Sequence, residues 1–195
     1  MRLVLLICGT AAALYGQTLE QAESLWAQHQ YKDASKTFDA LVAAHPRNAE
    51  YRVRWGRLFL ERFNPDDAAK LFHEALDIDP KNAGAMLGLA LVAADDFEAS
   101  ATDFARKALE ADPHLLAAQE LLARLALEDN DPRRAAEEAH KALQMSADSA
   151  PAMAILATID WLNDKPASEW DPHNGPGYET AGRIFVLNRR YEEGI

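Results

Sequence analysis

The sequence holds one cysteine, Cys8, in 195 residues. Glycine and proline number nine each and sit mostly between apolar segments, while alanine is abundant. That mixture favours close-packed helices. No block of Lys or Arg is present, since Arg133-Arg134 and Arg189-Arg190 are only pairs. The formal net charge is −11, so the surface repels nucleic acid phosphates and anionic headgroups. Nucleic acid is therefore not an expected partner. The acidity keeps the surface solvated; attraction of a basic partner is the alternative.

The N-terminus reads as an export signal covering residues 1–16. Arg2 supplies a positive start, and Leu3 to Leu14 is an uncharged run. Its length suits a signal core and is too short for a membrane-spanning helix. Cleavage fits after Ala13 or after Gly16. Either cut removes Cys8 and leaves a mature chain without disulfides or thiolate chemistry. The expected location is the periplasm, outer envelope or extracellular space, with no stable membrane insertion once the signal is gone.

Residues 17–149 repeat. Ala68 to Pro80 (AAKLFHEALDIDP) returns as Ala101 to Pro113 (ATDFARKALEADP). Looser copies run Ala34 to Pro46 and Ala135 to Ala147. The closing positions 46, 80, 113 and 147 lie 34, 33 and 34 apart, the period of a two-helix unit. In Ala68 to Asp79 the apolar residues Ala68, Leu71, Phe72, Ala75, Leu76 and Ile78 form one helical stripe, which Pro80 ends. First helices are expected over 19–28, 49–62, 83–94 and 115–128. Short polar turns join them to the second helices. Asn64 and Asp131 are suited to cap those second helices, and Pro65 and Pro132 to begin them.

These copies resemble the tetratricopeptide repeat family. The second copy carries Trp55-Gly56, Phe59, Ala68, Phe72, Ala75 and Pro80 in the family's register. The third is read as Leu87-Gly88, Leu91, Phe97, Ala101, Ala108 and Pro113. The first has Leu25, Tyr31, Ala34, Phe38 and Pro46; the fourth has Leu122-Ala123, Ala126, Ala135, Ala139 and Ala142. The resemblance implies an all-α, right-handed α-solenoid of antiparallel helix pairs, with first helices lining a concave face. Residues 150–195 read as an interrupted fifth repeat. Pro151 to Leu162 forms its helix, 163–178 is a Pro/Gly-rich stretch, and 180–195 begins a further repeat. The chain is thus expected to be an N-terminal fragment, with a downstream domain possible.

Convergent catalytic groups are missing from the pattern. The six histidines show no close metal-ligand spacing, the aspartates of the turns lack a calcium loop, and the glycines form no phosphate loop. No catalytic, metal or cofactor site is expected, and no enzyme activity in this chain. The family resemblance implies instead a scaffold whose groove takes a protein or peptide. Its expected partner-binding residues are Trp26, Val53, Arg57, Leu60, Leu89, Val92, Glu120, Arg124 and Leu127. Arg57 and Arg124 either offer forked contacts to a partner's carboxylates or pair with Glu61 and Glu128 four residues on. A second reading makes these repeats the recognition region of an exported enzyme, such as a peptidase, with its catalytic domain after residue 195.

Overall fold

A computed structural model describes residues 18–96 and 98–163. The expected leader, Phe97, and everything from residue 164 onward lie outside the described residues. Nine α-helices account for nearly all of what is described, and no strand occurs among those residues. They divide at Arg47/Asn48 into two compact units.

The first unit holds one hairpin, α1 (Leu19–Ala27) and α2 (Tyr31–Ala44). Thr18 caps α1 by accepting the Gln21 N–H at 3.1 Å. Ala22, Ala34 and Phe38 are fully buried between the two helices.

The second unit holds α3 (Ala49–Glu61), α4 (Pro65–Ile78), α5 (Ala83–Asp95), α6 (Ser100–Ala111), α7 (Leu116–Glu128), α8 (Pro132–Met145) and α9 (Ala150–Leu162). Each first helix packs on its own second helix, and each second helix packs on the next first helix. First helices also meet directly, α3 with α5, α5 with α7 and α7 with α9; no pair of second helices does so to the same degree. First helices that draw closer than second helices lie on the inner side of a curved stack. The fold is an all-α solenoid of helix pairs.

Local chemistry sets the helix ends. The expected caps form: Asn64 accepts from the Asp67 N–H at 3.4 Å, Asp131 from Arg134 at 3.0 Å, and Pro65 and Pro132 start α4 and α8. Asn48, Asn82 and Ser149 cap the first helices in the same way. Each cap contributes about 1 kcal/mol. The turns that end α1, α3 and α7 share one design. Gln30, Asn64 and Asp131 donate back five residues to Leu25, Phe59 and Ala126, and His29, Phe63 and Asn130 adopt φ near +60°. These are Schellman closures, which satisfy the last helical carbonyls.

The core is a line of alanine seams. Ala68, Ala75, Ala105, Ala108, Ala135, Ala139 and Ala142 are all fully buried. Small side chains there let helix axes approach; a larger one would cost about 1–3 kcal/mol in overpacking. Phe72, also fully buried, is a large exception in the second unit, as Phe38 is in the first.

Candidate binding groove

Cap positions give the register of the inner face. The first-helix caps fall at Asn48, Asn82, Leu115 and Ser149. Counting from them aligns Trp55-Gly56 with Leu89-Ala90, Leu122-Ala123 and Leu156-Ala157. The third copy was expected to place Leu87-Gly88 there, two residues early. The structure corrects this. The third hairpin is one residue shorter than the second, and the loss falls in its turn: α5 starts 34 residues after α3, whereas buried Ala101 follows buried Ala68 by 33. Gly88 looks like the small member of the pair but answers to a different neighbour. A Cβ there would collide with three carbons of the Phe72 ring, which reaches across from α4. Gly56 meets the same ring from the other side, where a Cβ would lie 2.7 Å from Phe72 Cε1.

With the register corrected, the inner positions of α5 are Leu87 and Leu91 rather than Leu89 and Val92. Leu89 is 4% exposed and shares a core cluster with Val53, which is 3% exposed; Val92 packs against that cluster. Leu89 and Val53 hold hairpins together and present little surface to a partner, while Val92 is half-buried. Sequence reading missed Leu87 and Leu91, and the signal that finds them is the Asn82 cap.

Four half-buried leucines remain on the inner face: Leu60 on α3, Leu87 and Leu91 on α5, and Leu127 on α7. Arg57, exposed, aligns with Leu91 and Arg124. Arg124 pairs with Glu128 at 2.9 Å along its own helix. The ion pairs of α3 fall elsewhere: Arg54 with Glu50, and Arg52 with Glu74 of α4 at 3.1 Å. The two arginines therefore differ: Arg124 pairs along its own helix, and Arg57 is exposed.

Glu120 accepts the Ser149 hydroxyl at 2.6 Å, while the same oxygen of Ser149 accepts the Ala152 N–H that starts α9. Glu120 thus joins α7 to the cap of the next hairpin. Its neighbour Gln119, 6% exposed, donates to the Glu138 carbonyl at 3.1 Å and to its carboxylate at 2.6 Å. Burial alone would raise the Glu138 carboxyl. The hydrogen bonds from Gln119 and Lys141, with the charges of Lys141 and Arg134, outweigh that and hold it below the usual carboxylate range. Trp26 belongs to the first unit, where it sits edge-on to Phe38 at 6.5 Å.

Among the described residues, no three His, Cys, Asp or Glu side chains converge as a metal site would require. No helix among them is long and apolar enough to cross a membrane.

Comparisons with known proteins agree with this architecture. Residues 19–83, one third of the chain, match the tetratricopeptide repeat model. A comparison with curated proteins finds no match. Among solved structures, the chain is similar to Pseudomonas aeruginosa PilF, with 14% identity and TM-score 0.68, covering 90% of this chain and 84% of that one. It is similar to MamA, with 16% identity and TM-score 0.62 over 73% of this chain and 84% of that one. It is also similar to YrrB, described as a tetratricopeptide protein with an unusual peptide-binding site, with 12% identity and TM-score 0.57 over 90% and 87%. At these identities the likeness concerns the fold. The chain carries tetratricopeptide repeat sequence through residues 19–83, and its described helix pairs have the fold of a tetratricopeptide solenoid.

Proposed function

We propose that this chain is a non-catalytic scaffold that holds a protein or peptide segment along the inner face of its second unit. The observation that carries the reading is that Leu60, Leu87, Leu91 and Leu127, on three successive first helices, pack against the core yet stay only half-buried. Leucines left part-exposed on three successive helices offer anchors spaced along a groove. Arg57, free of the ion pairs made by Arg52 and Arg54, adds a polar contact at the same level. The printed description of YrrB as peptide-binding supports a peptide as the occupant.

Leu91→Glu and Leu127→Glu test this. Both side chains are half-buried against core clusters, so the melting temperature should fall while circular dichroism at the assay temperature keeps the helical signal. Capture of partner peptides from a displayed library should fall at least tenfold, on the order of 1.4 kcal/mol. Retention of full binding by both variants would remove the groove as the site. We further propose that the chain is exported and that its leader is cut after Ala13 or Gly16. N-terminal sequencing of the mature protein checks this; an intact Met1 would overturn it.

A further inference from the structure

Helix α9 is buried on a side where no described element lies. Among the described helices it packs on α8 and α7. Ala152, Ile155 and Ile159 join the core cluster shared with α8. At the start of the helix, Ser149 bonds Glu120 of α7. Ala154 and Ala157 belong to the other side. Their centre lies roughly 160° round the helix from that of Ala152, Ile155 and Ile159. Yet Ala154 is 0% exposed, Ala157 2%, and Thr158 beside them 4%. The Thr158 hydroxyl turns inward and donates to the Ala154 carbonyl at 2.8 Å, so it is satisfied without water.

A helix does not bury its own small side chains this far. Ala69 and Ala136, on α4 and α8, stay half-buried although both pack against core clusters. In the preceding pairs, the position of Ala157 is covered by the pair's own second helix. Ala123 of α7 shares a cluster with Ala135, Ala139 and Ala142 of α8, and Ala90 of α5 with Ala101 and Ala105 of α6. Helix α9 carries the same small residue at the same place, just as buried, with no second helix after it among the described residues.

We propose that residues 180–191 of the same chain dock on this face of α9. They take the second-helix place across the Pro/Gly-rich stretch 163–178. The segment carries the chemistry for it. Wound as a helix, Ala181, Ile184, Phe185 and Tyr191 share one side, and Arg183 and Arg190 lie on the other. Ile184 and Phe185 supply the bulk for which Ala154 and Ala157 leave room. The tether 164–179 spans α9, about 20 Å long, with chain to spare. Docking within the chain thus benefits from a high effective concentration. It also withholds the face from a second copy of the protein. The proposal is independent of the leucine groove.

The test uses the full chain and amide hydrogen exchange. Phe185→Asp should speed exchange in α9 at least about tenfold, while α4 and α5 keep their rates. Phe185→Leu, which keeps an apolar side chain, should retain slow exchange in α9. Unchanged exchange in α9 of Phe185→Asp would overturn the proposal. Cysteine pairing identifies the occupant. In a Cys8→Ser background, Ala157→Cys combined with Ile184→Cys or with Phe185→Cys should give an intrachain disulfide under mild oxidation. Asp77→Cys on exposed α4, combined with the same partners, should give none. Disulfides between chains from the Ala157→Cys pairs would place a second copy on this face and overturn the assignment.

Discussion

The seam between α4 and α5 and the seams that follow it solve one packing problem in opposite ways. In the first, the outer helix contributes a large ring, Phe72, and the next inner helix makes room with Gly88. In the seams between α6 and α7 and between α8 and α9, the outer helix contributes Ala105 or Ala139. The aligned positions on the next inner helix are Leu121 and Ile155, and each pair shares a core cluster. Volume is held roughly constant while the large partner changes sides. Repeat units are thus fitted to their neighbours more than to a common sequence, as expected of a stack in which each unit contacts only the next.

The largest effect should come from emptying the first seam. Phe72→Ala removes a fully buried ring that touches two helices, and it should cost about 3–5 kcal/mol. Equilibrium urea unfolding measures it. A cost below roughly 1 kcal/mol would mean the seam collapses freely, contrary to the close approach at Gly56 and Gly88.

Filling the seam comes next. Gly88→Ala in an exposed helix would stabilise by about 1 kcal/mol through propensity. Here the Cβ meets the Phe72 ring on contact, so the sign should reverse to a net loss of about 1–2 kcal/mol. The sharper experiment combines Phe72→Ala with Gly88→Leu, which converts this seam to the arrangement of Ala105 with Leu121. The double variant should be more stable than the sum of its parts by at least about 1 kcal/mol. Strict additivity would show that the two seams are not alternative solutions.

A polar comparison ranks third. The aligned residues Arg52, Met86 and Gln119 sit where a first helix faces its own second helix. Arg52 reaches Glu74 and Gln119 reaches Glu138, while Met86 makes no such tie. Because Glu138 titrates below the usual carboxylate range in the folded chain, its contribution is complete above that range and fades as pH falls through the folded value. Glu138→Gln should therefore flatten the acid limb of a melting-temperature profile between pH 7 and pH 3. Gln119→Leu should lower stability at neutral pH by about 1–3 kcal/mol, because the carboxylate loses its buried donor. An unchanged acid limb in Glu138→Gln would place the pH dependence elsewhere.

Much of this was legible in the sequence because it rests on local chemistry. First-helix bounds fell within a residue or so of those observed, since caps and closing prolines act over a few residues. Asn64, Asp131, Pro65 and Pro132 took the places expected of them. The inner-face residues were harder. Leu89 and Val92 lie only two residues and one residue beyond Leu87 and Leu91, in a segment where nearly every side chain is apolar and the stripe has no clear edge. Gly88 completed the misreading, because a glycine made small by Phe72 imitates one made small by its own hairpin. Arg57 and Arg124 looked equivalent, and only the ion pairs separate them. The roles of Glu120 and Gln119 depend on contacts 29 and 19 residues away, which no local pattern carries.

The smallest predicted effect compares turns rather than seams. Phe63 and Asn130 occupy the same left-handed position at φ 56° and 59°, after α3 and α7. Asn tolerates that conformation through its short polar side chain, whereas a bulky residue there costs about 1–2 kcal/mol. Phe63 is 94% exposed, so its ring recovers little by packing. Phe63→Gly should therefore stabilise the chain by about 1 kcal/mol, and Asn130→Gly by no more than a few tenths. Thermal unfolding of both variants gives the comparison directly. Destabilisation by Phe63→Gly would show that the exposed ring contributes more to the folded state than its backbone strain removes.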